Sequence, residues 1–162
     1  MALPQSEIMK GKRGLVMGVA NEKSIAWGMA KTLHEHGAEL AFTYQGDAFG
    51  KRVKPLAQSV GSSLLIDCDV SQEGDLDVVF DSLKQEWGRF DFLIHAVAFS
   101  DKEELKGRYV DTSLDNFLTS LHISCYSFLL WGRKSNAQLQ CHGCCQGSFR
   151  GQCAVFGGRF GA

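Results

Sequence analysis

The chain has 162 residues, 44% of them hydrophobic, and a formal net charge of −1 from 17 basic and 18 acidic side chains. This length fits one domain, and the balanced charge excludes the strongly basic footprint of a nucleic-acid-binding protein. No apolar run approaches the roughly 18 residues of a membrane span, and residues 1–9 lack a signal-like apolar core. We therefore expect a soluble, cytoplasmic protein that binds neither nucleic acid nor membranes.

The first 128 residues alternate short apolar runs with helical patterns. The runs are rich in β-branched or aromatic residues, and the patterns between them have apolar positions near helical spacing. Such alternation implies right-handed βαβ crossovers and a parallel sheet covered on both faces, which is a Rossmann-type, doubly wound α/β fold. The predicted elements are a strand at 14–18, a helix at 24–33, a strand at 39–44, a helix at 47–59, a strand at 64–66, a helix at 75–87, a strand at 92–96 and a helix from 114 to about 128.

The composition of the chain changes at residue 128. Residues 1–128 contain all 18 acidic side chains, whereas residues 129–162 contain none and carry four Lys or Arg. Glycine becomes frequent in this second part, and four of the six cysteines lie there. Because residues 129–162 show neither strand nor helix periodicity, we treat them as a glycine- and cysteine-rich tail and expect no regular structure in them.

The turn after the first strand has features of a phosphate-binding loop, although it is not the full G-x-G-x-x-G pattern. Gly18 permits a tight turn, and Ala20 is small enough for a pyrophosphate to approach the backbone. Ser24 can cap the following helix and offer its hydroxyl to a phosphate. An ordinary strand-to-helix turn explains the same residues equally well, so the turn alone does not establish cofactor binding.

Gln45 ends the second strand, where many NAD-binding folds place an acid that binds the adenosine ribose. Glutamine can still form a hydrogen bond to the ribose. No arginine stands immediately beside it to bind a 2′-phosphate, which favours NADH, while Lys51 and Arg52 keep NADPH open. The alternative interpretation is a solvated loop glutamine.

The ends of the third and fourth strands complete the predicted site. Asp69 could accept a hydrogen bond from the adenine amino group while Val70 packs against the ring, although a helix cap also explains Asp69. Small residues from His95 to Ser100 would let a nicotinamide ribose lie against the backbone. We interpret His95 as a structural histidine rather than a catalyst, because it lies within an apolar strand.

Four sequence strings resemble the enoyl-acyl-carrier-protein reductases, a divergent branch of the short-chain dehydrogenases, and the resemblance covers about residues 10–128. It implies that residues 1–128 are a dinucleotide-binding region. It also implies NADH-dependent reduction of the trans-2 double bond of an enoyl-acyl-carrier protein in type II fatty acid biosynthesis. The strings are Gly18-x5-Ser24-Ile25-Ala26-x-Gly28, Phe42-Thr-Tyr-Gln45, Cys68-Asp69-Val70 and His122-Ile-Ser-Cys-Tyr-Ser-Phe128. The implied contacts to NADH come from Gly18, Ser24, Ile25, Gln45, Asp69, Val70 and Val97, and Ser100 is implied to border the acyl substrate.

The resemblance also implies a catalytic Tyr-x6-Lys pair beyond the fourth helix, where the tyrosine stabilises the enolate and the lysine holds the ribose. No tyrosine follows Tyr126 and the last lysine is Lys134, so no catalytic residue is assigned. Without that hydrogen-bond donor, bound NADH has little means of stabilising the transition state. We therefore expect a fold that is incomplete in its C-terminal half, an inactive, truncated form of the enzyme, and no assembly of the family-type homotetramer.

The tail is open to several interpretations. One choice of codons for Gln138–Gln146, read one base later, encodes Asn-Tyr-Asn-Val-Met-Gly-Val-Ala-Lys, which contains Tyr-x6-Lys. We hypothesise that residues 129–162 are an out-of-frame translation, which the sequence of the encoding DNA would test. Alternatively, Cys141-His142-x-Cys144-Cys145 and Cys153 form a zinc site or a redox cluster, although we assign no metal. Two alternatives for the whole chain stay open: a fragment of another short-chain dehydrogenase, which should show a glycine-richer first loop, and a non-catalytic dinucleotide- or zinc-binding module.

Overall fold

The computed structural model describes residues 7–72, 74–126 and 154–159. Within these ranges the chain forms nine regular elements and two short irregular helical segments, Tyr109–Asp111 with 3₁₀ geometry and His122–Tyr126 with π geometry. The regular elements are β1 (Arg13–Met17), α1 (Ile25–Glu35), β2 (Glu39–Tyr44), α2 (Gly46–Ser59), β3 (Leu65–Asp67), α3 (Asp75–Trp87), β4 (Arg89–His95), α4 (Leu114–Leu121) and β5 (Ala154–Arg159).

The five strands form one sheet in the order β3-β2-β1-β4-β5. Strands β1 to β4 are mutually parallel, and helices α1, α2 and α3 follow β1, β2 and β3. The predicted α/β class and the four parallel strands are therefore confirmed. Two predicted elements, β2 and α3, have the same bounds in the structure, and the other strands differ by one to three residues at their ends.

A hydrophobic core lies on each face of the sheet. The alternation of side chains along β1 divides it, because Leu15 and Met17 belong to one cluster and Val16 belongs to the other. All three side chains are at most 1% exposed. Helix α3 covers the first cluster with Leu76, Val79, Phe80 and Leu83, while helices α1 and α2 cover the second with Ala26, Trp27, Ala30, Val53 and Ala57.

The predicted fourth helix is shorter than expected. We predicted one helix from residue 114 to about 128, but α4 ends at Leu121 and continues as the π-helical segment His122–Tyr126. The helix begins with a side-chain cap, because the Ser113 hydroxyl accepts a hydrogen bond from the backbone N–H of Asn116 at 3.1 Å. Among the described residues, no helix is both long and apolar enough to cross a membrane.

Strand β5 contradicts part of the expectation for the tail. We expected no regular structure in residues 129–162, yet Ala154–Arg159 pairs with β4 in an antiparallel arrangement. Among the described strands only β5 pairs with the side of β4 that faces away from β1, and Val155 and Phe156 are residues that favour strands. The other tail residues, including Cys141, Cys144, Cys145 and Cys153, lie outside the described residues.

Candidate functional site

A cleft of about 260 Å³ opens where the four parallel strands end. The sheet order places β4 on the opposite side of β1 from β2, so the connections diverge at the carboxyl ends of β1 and β4. Ligands of open α/β sheets bind at this kind of switch point. The cleft is lined by Met17, Gly18, Val19, Ala20, Thr43, Tyr44, Gln45, Phe49, Cys68, Val70, Ala96, Val97 and Ala98.

The backbone of Gly18 lies close to the backbone of Ala96 at the cleft. The φ of Gly18, +92°, lies in the region that favours glycine, and a Cβ at this position would overlap the carbonyl group of Ala96. Nearby, the Ala96 N–H donates to the carbonyl of Met17 at 3.1 Å, which joins the ends of β4 and β1. The wall of the cleft at the switch point is therefore backbone, which a flat ligand can approach closely.

The loop between Gly18 and α1 places Ser24 at the N-cap position, with φ −69° and ψ 144°. The predicted side-chain cap is wrong, because the Ser24 hydroxyl donates instead to the carbonyl of Asn21 at 2.6 Å. Ile25 opens the helix and is 65% exposed. Neither Ser24 nor Ile25 lines the cleft, although both lie on the loop and helix start that follow its Gly18–Ala20 wall.

Gln45 and Asp69 are brought together at the ends of β2 and β3. The Gln45 side chain donates a hydrogen bond to the Asp69 carboxylate, which also accepts from the Ser71 N–H at 2.9 Å and the Ser71 hydroxyl at 2.6 Å. Partial burial opposes ionisation of Asp69, but these hydrogen bonds outweigh it and hold its pKa below the ordinary value. The helix-cap interpretation of Asp69 is wrong, since the N-cap of α3 is Gly74.

Two carboxylates beside this pair were missed by the sequence analysis. Asp67 accepts a hydrogen bond from the Gly46 N–H at 2.8 Å, and Asp75 accepts one from the Asp69 N–H at 2.9 Å. The Asp67 bond depends on β2 and β3 being neighbours in the sheet, whereas the Asp75 bond joins the loop after β3 to the start of α3. The repeated acidic residues around Cys68 were the one sequence signal for both. Burial, followed by the charges of Asp75, Asp69 and Asp67, raises the pKa of the Cys68 thiol to about 12, so this cleft residue is not a nucleophile at neutral pH.

Ser100 is held by a buried residue that the sequence analysis also missed. The Asn116 side-chain N–H donates to the Ser100 hydroxyl at 3.2 Å, and its amide oxygen accepts from the Asp101 N–H at 2.9 Å. Asn116 is only 9% exposed and Ser120 6%, whereas the apolar residues of α4 are exposed. The polar face of α4 therefore packs against the loop that follows β4, an inversion of the usual amphipathic pattern that could have signalled Asn116.

His95 ends β4 at 3% exposure. Burial lowers the pKa of its imidazole to about 4, so the ring is neutral at pH 7. Its burial within the strand agrees with the structural interpretation, and it is not among the residues that line the cleft. Val97, two residues later, does line the cleft and also packs against the core on the α3 side.

The spacing Tyr-x6-Lys occurs once in the chain, but in an unexpected place. Tyr44 is followed at this spacing by Lys51, which puts the pair at the end of β2 and on α2. The other two tyrosines, Tyr109 and Tyr126, have Asn116 and Arg133 at the corresponding position. No tyrosine beyond β4 therefore has the lysine partner that the resemblance requires. In residues 7–72 and 74–126, no three potential metal ligands cluster to hold an ion.

Comparison with known protein families and structures supports the same assignment. Residues 18–146 match a family model described as enoyl-(acyl carrier protein) reductase. The chain is 61% identical over 121 residues to the enoyl-[acyl-carrier-protein] reductase [NADH] 2 of Rhizobium meliloti, covering 75% of this chain and 45% of the relative.

Solved structures also resemble this chain. The enoyl-(acyl-carrier-protein) reductase of Anaplasma phagocytophilum, in complex with NAD, has a TM-score of 0.74 at 58% identity and is matched over 79% of this chain and 49% of its own. FabI from Candidatus Liberibacter asiaticus has a TM-score of 0.77 at 52% identity, with 79% and 50% covered. The chain thus spans about half the length of the relatives that it matches.

Proposed function

This chain belongs to the enoyl-(acyl carrier protein) reductase family, and we propose that it binds NADH as the cofactor-binding part of an NADH-dependent enoyl-acyl-carrier-protein reductase. The observation that carries the proposal is the cleft at the switch point of the parallel sheet, walled by the backbone at Gly18. The names of the relatives supply the nucleotide, since the Rhizobium meliloti protein carries the designation NADH and the Anaplasma phagocytophilum protein is in complex with NAD.

The adenosine would lie at the ends of β2 and β3. There the Gln45 amide can reach the ribose, and Asp69 can accept from the adenine amino group because its carboxylate stays ionised. Val70 is 9% exposed and lines the cleft, so it offers an apolar surface to one face of the ring. The hydrogen bond from Gln45 to Asp69 brings the two side chains together at the place where the adenosine would bind.

The pyrophosphate would lie over Gly18 and the start of α1. The first turn of a helix presents backbone N–H groups without intrahelical partners, and these attract anions. Ser24 and Ile25 stand at this helix start, so we propose that they contact the pyrophosphate or the adjoining ribose. Val97, which follows Ala96 beside Gly18, would contact the nicotinamide ribose.

The acyl substrate would approach from the loop after β4. When bound, NADH supplies the hydride for the β-carbon of a trans-2-enoyl thioester. Ser100 borders this region in our proposal, and Asn116 orients the Ser100 hydroxyl through the hydrogen bond described above. The proposed carrier of the acyl chain is an acyl-carrier protein, by the name of the family.

Replacement of Gln45 by alanine tests the nucleotide site. We expect Q45A to bind NADH about tenfold more weakly, because it loses one hydrogen bond to the ribose and the hydrogen bond from Gln45 to Asp69. Isothermal titration calorimetry with NADH measures the change. Q58A is the matched control, since Gln58 is exposed at the far end of α2 and should bind NADH like the wild type. Equal affinities for Q45A and Q58A would remove Gln45 from the site.

A separate turnover assay uses NADH and a trans-2-enoyl thioester. We expect this 162-residue polypeptide to bind NADH without oxidising it, because none of its tyrosines beyond β4 has the required lysine partner to stabilise an enolate. The decrease in absorbance at about 340 nm should equal that of a protein-free control. Turnover above that background would show that a group other than a Tyr-x6-Lys pair stabilises the enolate.

A further inference from the structure

Asp67 occupies a position next to the proposed adenosine site. It is the last residue of β3 and pairs in register with Tyr44, the last residue of β2. Its carboxylate accepts a hydrogen bond from the backbone N–H of Gly46 at 2.8 Å. Gly46 directly follows Gln45 and is the first residue of α2, so the Asp67 carboxylate lies at the N-terminus of that helix.

The N-terminus of α2 is where a phosphate on the adenosine ribose would bind. In dinucleotide-binding folds the residue after the second strand contacts the ribose 2′-hydroxyl, and that residue is Gln45 here. A 2′-phosphate would extend towards the nearest backbone N–H groups at a helix N-terminus, which attract anions. Asp67 already uses the Gly46 N–H and places a negative charge beside it.

Two cations near the cleft would favour binding of a 2′-phosphate, which the negative charge of Asp67 opposes. The Arg52 guanidinium lies 5.7 Å from the ring centroid of Phe49, and the Lys54 ammonium lies 5.8 Å from that of Tyr44. Both aromatic rings line the cleft. These cations would attract a 2′-phosphate, and Arg52 is one of the two residues whose positions in the sequence leave NADPH binding open. The preference between NADH and NADPH therefore depends on whether a fixed negative charge opposes them.

We propose that Asp67 determines the nucleotide specificity of this chain, by occupying the Gly46 N–H and repelling the 2′-phosphate of NADPH. The inference rests on the proposed function, because it requires the nucleotide to bind in the cleft. Asp67 acts by two separable effects, its charge and its hydrogen bond. Removing the charge alone improves NADPH binding, and removing the acceptor as well frees the Gly46 N–H for the phosphate.

The test uses two substitutions that separate these effects. D67N removes the charge but keeps an oxygen that can accept from Gly46, and D67A removes both. Dissociation constants for NADH and NADPH are measured by isothermal titration calorimetry at one salt concentration. We expect NADPH to bind about tenfold more tightly to D67N than to the wild type, and more tightly still to D67A. NADH affinity should change by less than about twofold in D67N, because NADH has no 2′-phosphate.

D81N is the matched control, because it removes the same charge from the exposed face of α3. It should leave the ratio of the two affinities at the wild-type value. If the ratio of the NADH and NADPH dissociation constants is unchanged in D67N and D67A while the wild type binds NADH, the role of Asp67 is overturned and the proposed function is not. A D81N change as large as that in D67N would overturn it too, since a general charge effect would then suffice. Absence of NADH binding to the wild type would overturn the proposed function and this inference with it.

Discussion

Replacement of Gly18 by alanine should destabilise the chain by about 2–4 kcal/mol and weaken NADH binding by at least about a hundredfold. The φ of Gly18 is +92°, a conformation that costs an L-residue about 1–2 kcal/mol. In addition, the new Cβ would overlap the carbonyl of Ala96, which is backbone and cannot rotate away. The ends of β1 and β4 would have to separate, and the wall of the cleft would move with them.

Gly28 provides the control for this prediction, because it belongs to the same sequence motif but differs in structure. It lies within α1, and a Cβ at this position would have no heavy atom within 4 Å. G28A should therefore raise stability by about 0.5–1 kcal/mol through its helix propensity. Urea denaturation measures both stabilities and NADH titration measures both affinities. If G18A unfolds at the same urea concentration as G28A, the close contact of Gly18 with Ala96 does not exist in solution.

Replacement of Phe42 by alanine should lower the free energy of unfolding by about 3–5 kcal/mol. Phe42 lies in the centre of β2 and its side chain is completely buried. Its ring contacts that of Trp27 with centroids 6.3 Å apart, so the substitution leaves a cavity between the sheet and α1. Because a domain of this size is stable by only about 5–15 kcal/mol, this loss is a large share of the total.

Urea denaturation with tryptophan fluorescence can measure the effect, since Trp27 reports on the same cluster. F117A is the matched control, because Phe117 lies on the exposed side of α4 and is 39% exposed. It should change the unfolding free energy by less than about 1 kcal/mol. A small effect of F42A, close to that of F117A, would mean that the cluster on the α1 and α2 side is not packed as described.

The strands and helices of the first 121 residues could be predicted because their signals are local. The apolar run of β2 and the helical pattern of α3 gave their observed bounds, and the glycine after β1 correctly marked a turn with positive φ. The less accurate predictions concerned the residues at which helices and strands end. Helix α4 stops early, where its polar face with Asn116 and Ser120 gives way to the π-helical segment, and no periodicity marks that change.

Residues at the strand ends could be placed together from the sequence, because the fold class puts the carboxyl ends of parallel strands at one edge of the sheet. Gln45, Val70 and Val97 meet Gly18 in one cleft, as expected from parallel strands that end at the same edge. Their contacts to NADH, and those of Ser24, Ile25 and Asp69, stay predictions. Residues that support these side chains, such as Asp67 and Asn116, were missed, because their partners lie 21 and 16 residues away in the chain and strand or helix periodicity does not show such pairs.

The sequence by itself determined the alternation of strands and helices, the glycine turn after β1 and the family motifs, since each depends on residues that are neighbours in the chain. Only the tertiary structure decided which groups share a site. The bonds from Gln45 to Asp69 and from Gly46 to Asp67 exist because β2 and β3 are adjacent in the sheet, and β5 pairs with the side of β4 that faces away from β1. Such contacts depend on the order and register of the strands, and those are set by packing of the whole sheet.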